Sequence, residues 1–415
     1  MIDIINKRTD EQPGKKFIHY KNVSITYQEF NYMILNLMDQ INEIDENYIG
    51  IQINHKIIFL VLIVAINRLK KIPVLYPDTP NIKDYIKATN IPITFTDTNI
   101  IISKKQNSNS QNFDYDKNAT QLVMFTSGTS GRPKACELTY RNIYESAYMW
   151  DKIINSNSND IYLNHMPLTH VSGICIFYRA LYLNFMMVID NFDLKNYIAN
   201  IKEYKITLIS MVPSMLQMIV DTKNNLQVLK KMKAIIIGGS TINEKLVNSI
   251  NQYKLPIYMS YGMTESSSGI AGYWVNDDSM YKPHPGVNIY VDKSKFSIQS
   301  PTIMKKYMYD KDTNNMIESP DICTIYKDGV FQIGGRGDQT AISGGENISI
   351  PYIKKHIEEY PEIKKCILKI VQDRQWGDIL HASIQCNKKI TLEILLDKLK
   401  KDLPKYMIPK KITIQ

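Results

Sequence analysis

Between Val123 and Lys134 the chain reads Val-Met-Phe-Thr-Ser-Gly-Thr-Ser-Gly-Arg-Pro-Lys. The apolar lead-in suits a strand. A loop of small hydroxyls comes next, Thr126, Ser127, Thr129 and Ser130, with Gly128 and Gly131 between them and Lys134 at the end. Backbone N–H groups and hydroxyls in such a loop can wrap an anion, and the lysine can neutralise it. The spacing is not that of the nucleotide loop G-x-x-x-x-G-K-[ST]: counting from Gly128, Pro133 and Ala135 occupy the second glycine and the hydroxyl positions. The bland alternative is a polar hairpin turn.

Glycine is otherwise scarce, with 18 in 415 residues against about 7% in average usage. All but Gly14, Gly50 and Gly377 lie between Gly128 and Gly345. Glycine is needed where backbone must approach a ligand or take positive φ, so these few loops are where chemistry is expected. They include Gly238-Gly239-Ser240, Tyr261-Gly262-Met263-Thr264-Glu265, Gly335-Arg336-Gly337 and Gly344-Gly345. Taken singly, Gly238-Gly239 is any strand-to-loop turn, and His170, in Pro167–Gly173, is a satisfied buried histidine.

The elements that must position these loops alternate. Ile206–Met211, Ala234–Ile237 and Pro256–Ser260 read as strands, the last ended by Tyr261-Gly262. Leu216, Ile219 and Val220, then Leu246, Ile250 and Tyr253, recur at helical spacing between them. Strand–helix alternation implies an α/β fold with parallel-rich sheets packed by helices. After Gly345 the pattern becomes a small α+β unit, in which Leu392, Leu395, Leu396 and Leu399 mark an amphipathic helix. The length exceeds what one hydrophobic core supports, and the boundary is placed near Arg336–Gln339, giving domains 1–337 and 338–415. Lys104–Asn118 is polar and reads as a surface loop. The longest apolar run, Ile57–Ile66, is too short for a membrane span and reads as a buried element. With no signal-peptide pattern and five cysteines lacking any CxxC, a disulfide framework is disfavoured and a reducing cytoplasm is the default. The net charge of +9 suits nucleic acid, anionic lipid or a phosphorylated small ligand, or reflects only a Lys- and Asn-rich composition. No lysine run is interleaved with aromatics as nucleic-acid binding would want.

In their order along the chain these landmarks resemble the adenylate-forming superfamily of acyl-CoA synthetases, peptide-synthetase adenylation domains and luciferases. The resemblance covers residues from about 17 to the end. It implies that Thr126–Lys134 (Thr126, Ser127, Gly128, Thr129, Ser130, Gly131 and Lys134) holds phosphate, that His170 borders the acyl pocket, and that Gly238, Gly239 and Ser240 lie beside adenine and substrate. Tyr261, Gly262 and Met263 would pack on the adenine, Thr264 would touch the α-phosphate, and Glu265, with Thr126, would hold Mg2+. Asp321 and Arg336 would contact the ribose, and Asp338 would be a hinge of a mobile small domain. Substrates and cofactors would then be a carboxylic acid, ATP, Mg2+ and CoA. Activating an acid with ATP puts negative charge on the α-phosphate and departing pyrophosphate, so hydroxyls, N–H groups, a cation and a metal are the groups required.

Ile342–Ile348, Ile-Ser-Gly-Gly-Glu-Asn-Ile, is similar to the CoA-ligase form of that segment, with Gly344 and Gly345 beside the pantetheine arm. Pro167–Ala180, Ile206–Leu216 and Pro256–Ser268 resemble the branch of CoA ligases acting on o-succinylbenzoate in menaquinone synthesis. That acid is an aromatic keto diacid. Its second carboxylate wants a cation or hydroxyls, for which Arg179, Ser266, Ser267 and Ser268 are candidates; Arg179 is equally read as a structural helix residue. Two alternatives stay open: an adenylation domain loading a carrier protein, and a non-catalytic nucleotide or acyl-adenylate binder. The family's adenylation lysine, expected beyond Leu403–Pro409, has no match, Lys410 and Lys411 coming too early. The expectation is a chain better at thioester transfer than at adenylation.

Overall fold

The computed structural model describes the chain apart from residues 80–81, 99–112, 127–132, 223–225, 293–294, 337–339, 344–345, 374–375 and 415. Two sheets dominate the first part of the chain. In one, Ile257–Met263, Ala234–Ile237, Leu208–Met211, Ile161–Asn164, Met186–Ile189 and Lys16–Tyr20 run parallel in that order. Antiparallel strands close its edges, Ser268–Trp274 against Ile257–Met263 at one side and Val23–Thr26 at the other. In the second, Thr94–Thr96, Tyr48–Gln52, Ile72–Leu75 and Thr120–Thr126 are parallel, and Lys134–Thr139 then turns back antiparallel, with the short strand Lys306–Tyr307 beside it. The parallel strands are β-branched and buried on both faces, which is why they read as apolar runs rather than alternations.

The run Ile57–Ile66 lies in the helix Lys56–Arg68, buried at nearly every position. Full burial of each Ile or Leu side chain contributes about 1.5–3 kcal/mol, enough to hold a helix that is apolar all round against the strands Tyr48–Gln52 and Ile72–Leu75 and the helix Tyr27–Ile41. Among the described residues no helix is long and apolar enough to cross a membrane. Arg68 closes this helix with its charge buried. Its guanidinium pairs with Asp3 at 2.8 Å and donates to Asn31 and Asn6 at 2.7 and 2.8 Å. Tyr115 donates to the same Asp3 at 2.7 Å, and the Phe113 ring covers the guanidinium at 4.6 Å. Of the polar segment Lys104–Asn118, the part at Phe113 and Tyr115 is therefore docked on the core rather than free at the surface; residues 104–112 lie outside the described residues.

Two strand readings are corrected in detail. The strand expected to end at Tyr261-Gly262 continues to Met263, with a register shift at Gly262. Glycine is required there because a Cβ would collide with the Ser268 carbonyl and the Gly269 Cα of the partner strand. The strand expected over Ile206–Met211 spans Leu208–Met211, and Pro213 after it opens the helix Pro213–Asp221 in the first-turn position that tolerates a missing N–H.

From Thr340 onward a smaller sheet forms from Thr340–Ser343, Glu346–Ser349, Ile363–Asp373, Gly377–Cys386 and Lys411–Ile414. Helices Ile350–Glu358 and Leu392–Asp402 cover it. Ala341, Ile353, Ile357, Cys366, Ile384, Leu395 and Leu399 form a core of their own. Leu392, the first residue of the helical leucine pattern, is largely exposed, so the apolar stripe is narrower than its spacing suggests.

Candidate active site

The C-terminal ends of the parallel strands and the small C-terminal sheet together enclose a cavity of about 1190 Å³. Thr126, at the end of one strand, and Lys134, at the start of the next, face each other across an antiparallel pair at its rim. Ser127, Gly128, Thr129, Ser130 and Gly131, between them, lie outside the described residues. Tyr307 stands opposite Cys136, two residues along from Lys134 on the same strand face. Diagonal neighbours on one face of a sheet are within reach of long side chains. Lys134 Nζ accordingly sits 4.9 Å from the Tyr307 ring centroid. The Tyr307 hydroxyl donates to Glu265 Oε1 at 2.7 Å. Burial, and the carboxylate beside it, push this phenol far above the ordinary tyrosine range.

Glu265 is delivered by a tight turn, the 3-10 helix Thr264–Ser266. Ser267 and Ser268, the next two residues, hold φ of 52° and 102°. Non-glycine residues in that region store strain, a cost typically met at functional sites. Thr264 and Glu265 both line the cavity. On another wall, Gly238, Gly239 and Ser240 follow the strand Ala234–Ile237 and also line the cavity. Gly239 has φ of 86°, whereas a Cβ on Gly238 would make only ordinary contacts. Tyr261, Gly262 and Met263 form the adjacent wall. The Tyr261 hydroxyl donates to Asp321 Oδ2 at 2.7 Å, so those two residues, 60 apart in sequence, act as one unit. Arg336 pairs with Asp321 through the backbone of two antiparallel strands; its side chain lies outside the described residues, as do Gly344 and Gly345.

His170 precedes the helix Val171–Leu183 and faces the cavity. Arg179, two turns on, is only 3% exposed yet also lines it. One Nη donates to Ser268 Oγ at 2.6 Å, the guanidinium lies 4.6 Å from the Trp150 ring centroid, and its Nε has no hydrogen-bond partner. Among the described residues no carboxylate pairs with it. Arg68, equally buried, is fully partnered. A buried charge without a counter-charge is costly, and Arg179 is left facing a cavity where an anion can supply one. Of the three serines offered by sequence, Ser266 and Ser267 are fully buried and spend their hydroxyls on backbone groups, among them the Thr302 carbonyl at 2.8 Å. Only Ser268 reaches the space. Trp150 and Tyr307, which line the cavity, escaped the sequence reading, because each is an ordinary core residue type whose role depends on what lies next to it. The His284 imidazole packs edge-on against Trp150, and burial, with the charge of Arg179 as a second cause, holds it down at about 3.

Mg2+ prefers hard oxygen donors, keeps several waters and is held by one or two carboxylates plus substrate phosphates. Glu265 and the Thr126 hydroxyl on the cavity wall fit that requirement. The described residues contain no cluster of three or more His, Cys, Asp or Glu that would form a dedicated metal cage.

A family description, "AMP-binding enzyme", matches residues 68–297. This is more than half of the chain, and it contains the loop at Thr126–Lys134, His170, the Gly238-Gly239 turn and the Tyr261–Glu265 segment. The chain belongs to the AMP-binding enzyme family. Among curated relatives in the family, the 2-succinylbenzoate–CoA ligase of Lactococcus lactis subsp. lactis (strain IL1403) is 29% identical over 99% of this chain and 95% of its own length. The fold is that of o-succinylbenzoate CoA synthetase from Bacillus subtilis. A double mutant of that enzyme bound to a product analogue superposes with a TM-score of 0.91 at 20% identity, covering 100% of this chain and 95% of the other. The same enzyme with its acyl-adenylate intermediate gives 0.75 at 20% identity, covering 100% and 94%.

Proposed function

We propose that the chain is an AMP-forming acid–CoA ligase whose acid carries a second carboxylate, o-succinylbenzoate being the best fit. The observation that carries this reading is the uncompensated Arg179 guanidinium, buried in the same cavity as Lys134 and Glu265. A ligase for a monocarboxylic acid would have no use for it. The named relatives act on 2-succinylbenzoate, and the aromatic wall at Trp150 suits a ring placed between the two carboxyl groups.

In the first half-reaction a carboxylate oxygen attacks the α-phosphorus of ATP and pyrophosphate departs. Lys134 neutralises the phosphates, with Thr126 and the loop after it. Thr264 donates to the α-phosphate. Tyr261 and the Gly238-Gly239-Ser240 turn hold the adenine, and Asp321, fixed by Tyr261, takes the ribose with Arg336. Mg2+ bound by Glu265 and Thr126 would supply charge neutralisation on the leaving pyrophosphate. His170 borders the acyl group, and Arg179 with Ser268 fixes its far carboxylate, which orients the reacting one. In the second half-reaction the CoA thiol attacks the acyl carbonyl and AMP leaves, with Gly344 and Gly345 beside the pantetheine arm. The unit 338–415 acts as a lid turning about Asp338; Trp376, Tyr406 and Met407, which it contributes to the cavity wall, support that role. A carrier protein as acceptor draws no support from the named relatives. We place the reaction in the cytoplasm, in keeping with five unpaired cysteines.

The test is pyrophosphate release and thioester formation with o-succinylbenzoate, benzoate and fatty acids, with and without CoA. Turnover of the diacid at least tenfold above benzoate, dependent on CoA for thioester, is expected. Equal turnover of benzoate would remove the role given to Arg179, and pyrophosphate release with no acid would leave only a nucleotide-binding protein.

A further inference from the structure

Lys134 and Glu265 carry opposite charges into one partly enclosed space. An ammonium and a carboxylate so placed attract each other strongly where water is partly excluded. Paired, they would cancel the cation meant for phosphate and the anion meant for metal. Among the described residues no ion pair joins them. Both instead meet Tyr307, which receives the ammonium on its ring face, 4.9 Å from the centroid, and the carboxylate Oε1 on its hydroxyl at 2.7 Å. Glu265 Oε2 is left without a donor among the described residues. The tyrosine itself is firmly placed. Its strand pairs with Lys134–Thr139, and the neighbouring Glu137, only 2% exposed, lies 3.9 Å from Lys306 Nζ. Glu137 in turn accepts from Thr120 at 2.7 Å and Tyr48 at 3.2 Å.

We infer that Tyr307 is a positioning residue that holds the phosphate-binding Lys134 and the metal-binding Glu265 apart, its ring serving as spacer and its hydroxyl as the clamp that aims the carboxylate. This rests on the reading of the cavity as an ATP site. Hydrogen bonds to a metal-ligating carboxylate are worth about 10–100-fold in metal affinity, whereas the ring contact with an ammonium acts on the lysine alone.

The experiment is calorimetric titration of ATP into the full chain, once with excess Mg2+ and once with EDTA, for wild type, Tyr307→Phe, Tyr307→Leu and Tyr307→Leu/Glu265→Gln. Tyr307→Phe keeps the spacer and loses the clamp. It should weaken binding about tenfold with Mg2+ and leave the EDTA value within about twofold. Tyr307→Leu lets Lys134 and Glu265 pair, so binding should also weaken several-fold in EDTA. Adding Glu265→Gln removes the competing carboxylate and should restore the EDTA affinity, a rescue that a merely structural tyrosine would not show. Equal losses with and without Mg2+ in Tyr307→Phe, no loss at all, or absence of rescue in the double variant would overturn the inference. Wild type binding no ATP in either buffer would overturn the site reading beneath it.

Discussion

At the end proposed to bind phosphate, the cavity is assembled largely from sequence neighbours. Thr126 and Lys134 flank one loop, and Thr264 and Glu265 are adjacent in another. At the end proposed to take the acid, Arg179, Ser268 and Trp150 come from three separate elements. The ends also differ in how they treat charge. The phosphate end holds opposite charges and keeps them apart on Tyr307. The acid end buries one positive charge and offers it hydroxyl and indole but, among the described residues, no carboxylate. The first arrangement suits a ligand that brings both anion and cation, as a metal-bound polyphosphate does. The second suits a ligand that brings an anion alone. On the proposed reading one cavity discriminates by two means, and each can be broken separately.

The largest effect is expected at the phosphate end. Lys134→Ala should lower pyrophosphate release at saturating substrates by about 10²–10³-fold, the usual cost of one preorganised charge-stabilising group, for every acid alike. A smaller loss for benzoate than for o-succinylbenzoate would show that the two ends are not independent. Next, Arg179→Met should lower kcat/KM for o-succinylbenzoate on the order of 10²-fold, because a truncated partner leaves the second carboxylate buried and unpaired. Benzoate should be unaffected or improved, and thermal unfolding should shift little or upward, since no anion loses its partner in the free protein. An equal loss with benzoate would make Arg179 structural after all. Ser268→Ala removes one hydrogen bond to that guanidinium and should raise KM for the diacid about five- to tenfold with kcat nearly unchanged; a fall confined to kcat would argue against it.

The smallest effect is on stability. His284 is held at about 3 by burial and Arg179, and His165 at about 4 by burial, against about 6.5 when unfolded. Between those values the unfolded chain binds the extra protons. Both histidines therefore contribute stability that is complete above about pH 6.5 and declines as the pH falls toward 3–4. Each contributes a slope of up to about 1.4 kcal/mol per pH unit in that window. His284→Asn should make the decline of the urea midpoint between pH 7 and 4.5 shallower; an unchanged slope would mean that His284 is not buried neutral.

The α/β alternation was legible from residue types in order, and so were the segments at Gly238-Gly239 and Tyr261–Glu265, which line the cavity. Both rest on short contiguous patterns, apolar runs that pair as strands and glycines where the backbone must turn or pass closely. The ten-residue apolar run was legible as a buried element because its burial follows from composition alone. The strand through Gly262 was not, since its end is set by a partner strand whose carbonyl lies where a side chain would be.

Side-chain chemistry between distant elements was decided only by the tertiary structure. Arg68 and Arg179 each lie near the end of an apolar helical run, and nothing local separates them. Folding brings Asp3, Asn6 and Asn31 to one, and to the other Ser268 and Trp150 without a carboxylate. Ser266, Ser267 and Ser268 are identical in type, yet the left-handed turn buries two hydroxyls against backbone and opens the third to the cavity. Sequence determines which groups the chain possesses and where its backbone can bend. Whether a charge or hydroxyl is spent internally or left for a ligand depends on desolvation and on partners tens or hundreds of residues away, and those are fixed only when the sheets assemble.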